Sequence, residues 1–322
     1  MKMANIGKAS DYLSKEEINL LMEKHNGKAV FEILHTWGWI AFAFFIAAYW
    51  TNPFTIFIAL WILGGKQLGC AIIMHDASHY STFTSKKVND FVGNWLGGYP
   101  ILLDVKRYRP YHVTHHVNTG LEDDPDIYLT KGYPTSRISM FRKFLRDLTG
   151  LTGLKSYFGV LLMHLGYLKF SLGGGVEKDT TPRTFIERIK LGFNNLAGPI
   201  VAQLVLFGIF YAIGQPWLYL LWIGALLTTN QFCLRVRSIA EHSVVTDRTN
   251  PLTNTRTTYA NFIERLLFAP HHVNYHAEHH LLMNVPCYNY PEMHRILLQK
   301  GFYEKGLLAP DYLHIVRLAG LK

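Results

Sequence analysis

The stretches "YHVTHHVNTG" (Tyr111–Gly120) and "NYHAEHHLLM" (Asn274–Met283) share one pattern, HxxHH, about 160 residues apart. The pattern places His112, His115 and His116 in the first stretch and His276, His279 and His280 in the second. Positions i, i+3 and i+4 lie on one face of a helix. A neutral imidazole offers a nitrogen lone pair to zinc, copper, iron or nickel. "HDASH" adds His75 and His79 at i, i+4, and "RSIAEH" ends on His242. With 16 histidines in the chain, one HxxHH arises by chance in roughly 4% of such sequences and two in well under 1%. These nine residues are therefore read as metal ligands. His25, His35, His164, His294 and His314 stand alone and read as structural or interfacial, while His271 and His272 precede the second HxxHH and are compatible with an outer position.

Nine nitrogens exceed the four ligands of one zinc ion. They suit two metals of five or six coordination with positions left open, and imidazole alone does not choose the element. Soluble di-iron proteins use glutamates and paired ExxH motifs, a set this chain lacks. Asp76, Asp123, Asp124, Glu241 and Glu278 lie near the histidines in sequence and are expected to accept the second ring N–H and orient each imidazole. Asp126 is a weaker candidate for the same task.

Elements must bring these residues together. The 322-residue chain is 49% hydrophobic and only 17% charged, which points to a membrane protein rather than an ordinary soluble domain. Four segments are apolar enough to span a bilayer as helices of roughly 20 residues: 30–50, 54–74, 196–213 and 217–234. Uncharged turns, Thr51–Pro53 and Gly214–Pro216, join them in two hairpins. Nearly every Lys and Arg falls outside the hairpins, which predicts that the remaining segments are cytoplasmic. The net charge of +9 fits that bias without a nucleic-acid partner.

The expected architecture is an all-α integral membrane protein. It has four transmembrane helices in two hairpins, interfacial helices, and a cytoplasmic helical cap carrying the histidine boxes. One domain, 1–322, divides into an N-terminal segment (1–29), first hairpin (30–74), cytoplasmic and interfacial segment (75–193), second hairpin (194–234) and cap (235–322). Residues 1–29 are polar and lysine-rich and do not read as a cleavable signal. "SKEE" (14–17) predicts a capping box. Residues 151–172 are expected to lie in the interface, because a further crossing there would place the two HxxHH stretches on opposite sides, and residues 91–103, short and broken by Gly97, Gly98 and Pro100, are expected there too. Cys70, Cys233 and Cys287 are too scattered for a disulfide or iron–sulfur framework.

Helix geometry then places the ligands. From Pro53 to His75 is about 33 Å of helix, just past a hydrocarbon core of about 30 Å. A continuous helix from Trp217 would carry His242 about 38 Å, to the same side. Lys66, Gln67 and Asn230 are polar within predicted spans and should face the interior or snorkel.

"HDASH", "HVTHH", "RSIAEH" and "HAEHH" resemble the histidine boxes of the integral-membrane fatty acid desaturase superfamily, over residues 54–294. The resemblance implies a non-haem centre of two iron ions, O2 as oxidant, an acyl-lipid or fatty acyl substrate within membrane lipid, and electrons from an external ferredoxin or cytochrome b5 type donor. It also implies a multi-pass protein of a bacterial inner membrane or the endoplasmic reticulum. Three residues between His75 and His79 match acyl-lipid and sphingolipid desaturases. Stearoyl-type relatives carry Asn four residues before the single histidine; here Ser238 stands there, leaving a tenth ligand open. Hydroxylases and carotenoid ketolases share the boxes. A membrane metal-binding or transport protein is the rival from another class, but transporters bind near the bilayer midplane, not at helix ends. The expected acyl tunnel lies between spans and cap, with Gly64, Gly65, Gly69 and Gly93 admitting close approach of chain or helix, and Arg235 or Arg237 holding an anionic headgroup or anchoring the positive side.

Overall fold

The computed structural model describes residues 8–321, so the expected N-terminal segment is seen from residue 8 onward. Ser14 opens helix α1 (Lys15–Leu21) with the expected capping box: its Oγ accepts from Glu17 N, and the Glu17 carboxylate accepts from Ser14 N. Two long antiparallel helices follow, α2 (Asn26–Tyr49) and α3 (Pro53–Ser78). Asn52 caps α3 through Phe54 N and Thr55 N, and Pro53 sits at the first helical position, where its missing N–H costs nothing.

Between α4 (Lys86–Val92) and α5 (Val105–Asn118) the chain makes a wide π-type turn, Gly93–Gly98, and a short 3-10 turn, Tyr99–Ile101. Gly93 is required there: a Cβ would lie 2.4 Å from Ala77 Cβ. Short α6 (Ile127–Thr130) precedes α7 (Arg137–Leu148) and α8 (Leu151–His164). α8 stops at His164, short of the apolar stretch that continues to Leu172. Fourteen residues are about 21 Å of helix, less than a hydrocarbon core.

The longest helix, α9 (Phe185–Ala212), begins eleven residues before the predicted span, at a Thr184 capping box. Pro199 within it deprives the Asn195 carbonyl of its helical donor, and Arg107 Nη2 reaches that carbonyl at 3.4 Å. Phe193, Leu204, Val205 and Ile209 stand exposed along α9, as on a lipid-facing helix.

The predicted fourth span is not one helix. It breaks at Thr228 (φ −117°, ψ −89°) into α10 (Leu218–Leu227) and α11 (Thr229–His242). Thr228 Oγ1 donates back to Gly224 O at 2.6 Å, a contact that bends helices. Thr229 Oγ1 donates across to Leu60 O of α3 at 2.6 Å, and Gln231 Nε2 takes up the freed Leu226 carbonyl at 3.0 Å. Among the described residues, three helices, α2, α3 and α9, are long and apolar enough to cross a membrane.

The tail adds β1 (Arg256–Thr258), α12 (Phe262–Leu267), α13 (His276–Leu281), α14 (Tyr290–Gln299), β2 (Leu307–Ala309) and α15 (Tyr312–Ala319). β1 and β2 pair in parallel, with Thr257 opposite Leu308, and tie the tail together.

Apolar burial does not distinguish helix from lipid inside a membrane, so small residues and polar contacts must hold the spans. Gly64 lets α11 approach so closely that a Cβ would stand 2.3 Å from Thr229 Oγ1. Gln67 Nε2 donates to Trp222 O at 2.8 Å, and Asn230 Nδ2 to Gly64 O at 3.1 Å. Each such bond contributes about 0.6 kcal/mol, up to about 2. Gly65 and Gly69 likewise meet Leu266 and Thr36, so these glycines serve helix packing.

Candidate metal centre

Four elements deliver the nine histidines. The end of α3 carries His75 and His79, α5 carries His112, His115 and His116, the end of α11 carries His242, and α13 carries the last three. Asp104 caps α5 by accepting from Arg107 N at 2.9 Å. α13 has only six residues and is pinned by Glu278, which is fully buried and accepts from Thr257, His294 and Tyr303.

The nine do not meet at one point. They form two adjacent groups, His75, His79, His112, His116 and His279 in one, and His115, His242, His276 and His280 in the other. Within each group the ligand-capable nitrogens lie within 4.8 Å of one another. Each HxxHH is divided between them. Around a helix i and i+4 stand about 40° apart, while i+3 stands about 100° from i+4. The pair His112/His116 therefore faces one group and His115 the other; on α13 the pair His276/His280 faces the second and His279 the first. The groups touch where the His116 and His280 rings approach to 4.3 Å between centroids.

The outer nitrogens are held by groups that accept. His75 Nδ1 meets Asp76 Oδ1 at 2.8 Å, His115 Nδ1 meets Asp124 Oδ1 at 2.7 Å, and His242 Nδ1 meets the Asn254 carbonyl at 3.2 Å. A carboxylate or carbonyl can only accept, so Nδ1 donates and the lone pair belongs to Nε2. Tyr290 Oη stands 2.8 Å from His279 Nδ1, and Thr119 Oγ1 3.3 Å from His280 Nδ1.

Inside the groups the nitrogens lack ordinary partners. His75, His79 and His280 have buried Nε2 atoms with no hydrogen bond. Elsewhere Nε2 faces Nε2, at 3.0 Å for His112–His116 and His116–His279 and 2.8 Å for His242–His276. Leaving a buried nitrogen unpaired costs about 1–3 kcal/mol. Two ligands bound at about 2.1 Å and at right angles would be about 3.0 Å apart, so the nitrogen set fits a metal in each group. Burial, with the neighbouring imidazoles, holds His112, His116, His276, His279 and His280 well below the ordinary histidine range, in the neutral form a metal needs. At His115 burial works the same way, but the hydrogen bond to Asp124 and the charges of Asp126 and Asp124 outweigh it and raise the value.

The carboxylates expected beside the rings divide. Asp76 and Asp124 meet ring nitrogens directly. Glu241 Oε1 lies 3.4 Å from His276 Nδ1 and accepts from Arg237 Nε at 2.6 Å. Asp126 lies 3.6 Å from His115 and also accepts from Tyr111. Asp123 is exposed and bonds no histidine. Glu278 turns away to β1 and α14, and Ser238 Oγ donates to Leu234 O at 2.9 Å, within its own helix. Tyr290, Thr119 and the Asn254 carbonyl carried no recognisable spacing in the sequence, because each comes from a separate element. His271 and His272 stand apart from the nine and face Thr36 and Glu32.

A cavity of about 170 Å³ runs between α3, α8 and α11 and reaches His75, His112 and His276. Its apolar walls include Leu68, Ile72, Ile101 and Val160. Arg237 and Glu241 stand beside the histidines as a pair, and Arg235 is bound to the buried carboxylate of Asp147. Neither arginine is an open headgroup clamp.

The family model described as fatty acid desaturase matches residues 47–310. The chain is 27% identical over 261 residues to the dihydrorhizobitoxine desaturase of Bradyrhizobium elkanii, covering 80% of this chain and 71% of that protein. It is 26% identical over 279 residues to the sn-1 oleoyl-lipid 12-desaturase of a Synechocystis strain, covering 83% and 75%. A shorter match, 31% over 104 residues, joins 32% of the chain to 26% of the sn-1 acyl-lipid omega-3 desaturase (ferredoxin) of Synechocystis.

Proposed function

The chain belongs to the fatty acid desaturase family, and on that premise we propose that it introduces a double bond into the acyl chain of a membrane lipid, using O2 and a two-iron centre held by all nine histidines. The observation that carries the reading is the pair of imidazole groups beside a cavity that His75, His112 and His276 line together with apolar side chains. The oleoyl-lipid relative supports an acyl-lipid substrate.

Five histidines, His75, His79, His112, His116 and His279, hold one ion, and His115, His242, His276 and His280 the other. Bound iron supplies the O2 reduction and hydrogen abstraction that no protein side chain performs. In sum, O2 accepts one hydrogen from each of two adjacent methylenes, two electrons and two protons, and leaves as two waters. The chain's own residues set the geometry. Asp76, Asp124, Tyr290 and the Asn254 carbonyl fix the rings. Leu68, Ile72, Ile101 and Val160 line the acyl chain's path and exclude water. Held this way, one carbon pair stands at the centre, and positioning of this kind accounts for several kcal/mol of a reaction barrier.

The electrons come from outside the chain, from a ferredoxin or cytochrome b5 type carrier; the ferredoxin named for one relative favours the first. The Lys and Arg distribution supports a cytoplasmic position for the boxes, in a bacterial inner membrane or the endoplasmic reticulum. The test is lipid profiling of cells expressing wild type against His116→Ala. A new double bond seen only with wild type, together with iron near two per purified chain, is the expected result. A hydroxyl or keto product would replace the desaturation reading, and one metal per chain would remove the two-iron centre.

A further inference from the structure

A second cavity, with charged groups among largely apolar walls, lies on the other side of α3, between α2 and the α12–α13 segment. Lys66 lines it, is only 1% exposed, and has no hydrogen-bond or ion-pair partner among the described residues. Lys66 and His75 are nine residues apart, which is half a turn around the helix and about 14 Å along it. This cavity is therefore not an extension of the one that reaches the histidines.

Its charges are unequal. Glu32 also lines it, but Glu32 is engaged by two imidazoles, His271 Nδ1 at 3.5 Å and His272 Nε2 at 3.9 Å. Both histidines have left-handed backbones (φ 52° and 57°). Such strain costs about 1–3 kcal/mol per residue and persists where surrounding contacts enforce it; here Thr36 holds His271 Nε2 at 2.9 Å. Neutral imidazoles do not cancel the carboxylate, so Glu32 faces Lys66 across the cavity, but it makes no direct ion pair with Lys66, and Arg265 adds a second cation against that single carboxylate. Arg265 stands at the rim, where among the described residues only its Nε is bonded, to Ala260 O at 3.1 Å. A buried cation with no directly bonded partner is costly, and an ionisable residue within a span marks a functional site with a partner to be found.

The mouth says what the partner is. Phe31 and Phe262 flank it, each 66% exposed, and Leu34, Phe42 and Phe45 continue the exposed apolar face along α2. An ammonium-lined cavity opening directly onto an exposed apolar helix face matches an amphiphile, with phosphate inside and tails along α2. We propose that Lys66, with Arg265, binds the phosphate of a bilayer phospholipid whose acyl chains lie along α2, at a site separate from the substrate cavity. The ligand chemistry is a phosphodiester on a buried ammonium, and an anionic headgroup suits the excess positive charge best.

The full chain, purified in detergent, is titrated with dioleoylphosphatidylglycerol and followed by native mass spectrometry and thermal unfolding. Dioleoylglycerol, which lacks phosphate, and inorganic phosphate are run in parallel. The expected result is one phosphatidylglycerol per chain, with affinity lowered at least tenfold in Lys66→Met and severalfold in Arg265→Gln. Lys66→Met should abolish the lipid-induced rise in melting temperature, whatever its lipid-free melting temperature. Dioleoylglycerol binding as tightly as phosphatidylglycerol would overturn the proposal, as would unchanged affinity in Lys66→Met. Inorganic phosphate displacing the lipid at equal concentration would overturn the lipid as occupant. Arg265 is exposed, so Arg265→Gln is expected to fold even if Lys66→Met does not, and unchanged affinity in Arg265→Gln would then decide against the site.

Discussion

Replacing Asp124 with asparagine should empty one metal group and spare the other. Asp124 Oδ1 accepts from His115 Nδ1 at 2.7 Å and from Asp126 N at 2.9 Å, and Oδ2 accepts from Gly120 N at 2.8 Å. An amide cannot accept at both ends. If its oxygen keeps His115, its NH2 meets the Gly120 N–H, donor against donor. If it flips, NH2 meets His115 Nδ1 and favours the tautomer with the proton on Nε2, which removes the lone pair from the metal side. Losing a partner of a ligating histidine lowers metal affinity about 10- to 100-fold, or about 1.4–2.7 kcal/mol. His115 belongs to the four-histidine group, so the loss should fall there. The assay is metal content by mass spectrometry after dialysis against rising chelator. Wild type should lose its metals at two thresholds; in Asp124→Asn one should move down ten- to a hundredfold and the other stay. Tyr290→Phe, acting on His279, should shift the five-histidine group instead. If both ions leave together in both variants, or Asp124→Asn matches wild type, the division into two groups by ring-orienting partners is wrong.

His242→Ala should abolish product in the lipid profile, while His164→Ala, whose Nε2 lies 3.1 Å from the Leu102 carbonyl and outside both groups, should keep most of it. Gly64→Ala should destabilise by about 1–3 kcal/mol through overpacking, since its Cβ would also stand 2.7 Å from Asn230 N; a detergent melting curve no lower than wild type would contradict that packing. A cysteine at Gln215 should react with a membrane-impermeant thiol reagent from outside, and one at Lys131 or Thr253 should not. Labelling of Lys131 and Thr253 from opposite sides would separate the boxes that the two groups require.

The nine histidines were legible because local spacing on a helix is a property of the sequence alone: i, i+3 and i+4 share a face wherever the helix goes. The apolar lengths of α2 and α3 and the Ser14 capping box were legible for the same reason. Which group each histidine joins was not, because that depends on how α5 and α13 are rotated against each other, and rotation is set by distant contacts such as Glu278 on Tyr303 and Thr257. The break at Thr228 was hidden too: an apolar run reads as one helix until Thr229 finds Leu60 O on α3. Asp76 adjoins its histidine and could be named in advance. Tyr290, Thr119 and the Asn254 carbonyl reach theirs only across the tertiary structure, and the placing of Lys66 in a cavity with Glu32 and Arg265 was likewise decided there. Sequence fixes what lies along one helix face, since chain geometry repeats there; partners across elements are chosen by packing, which no local period records.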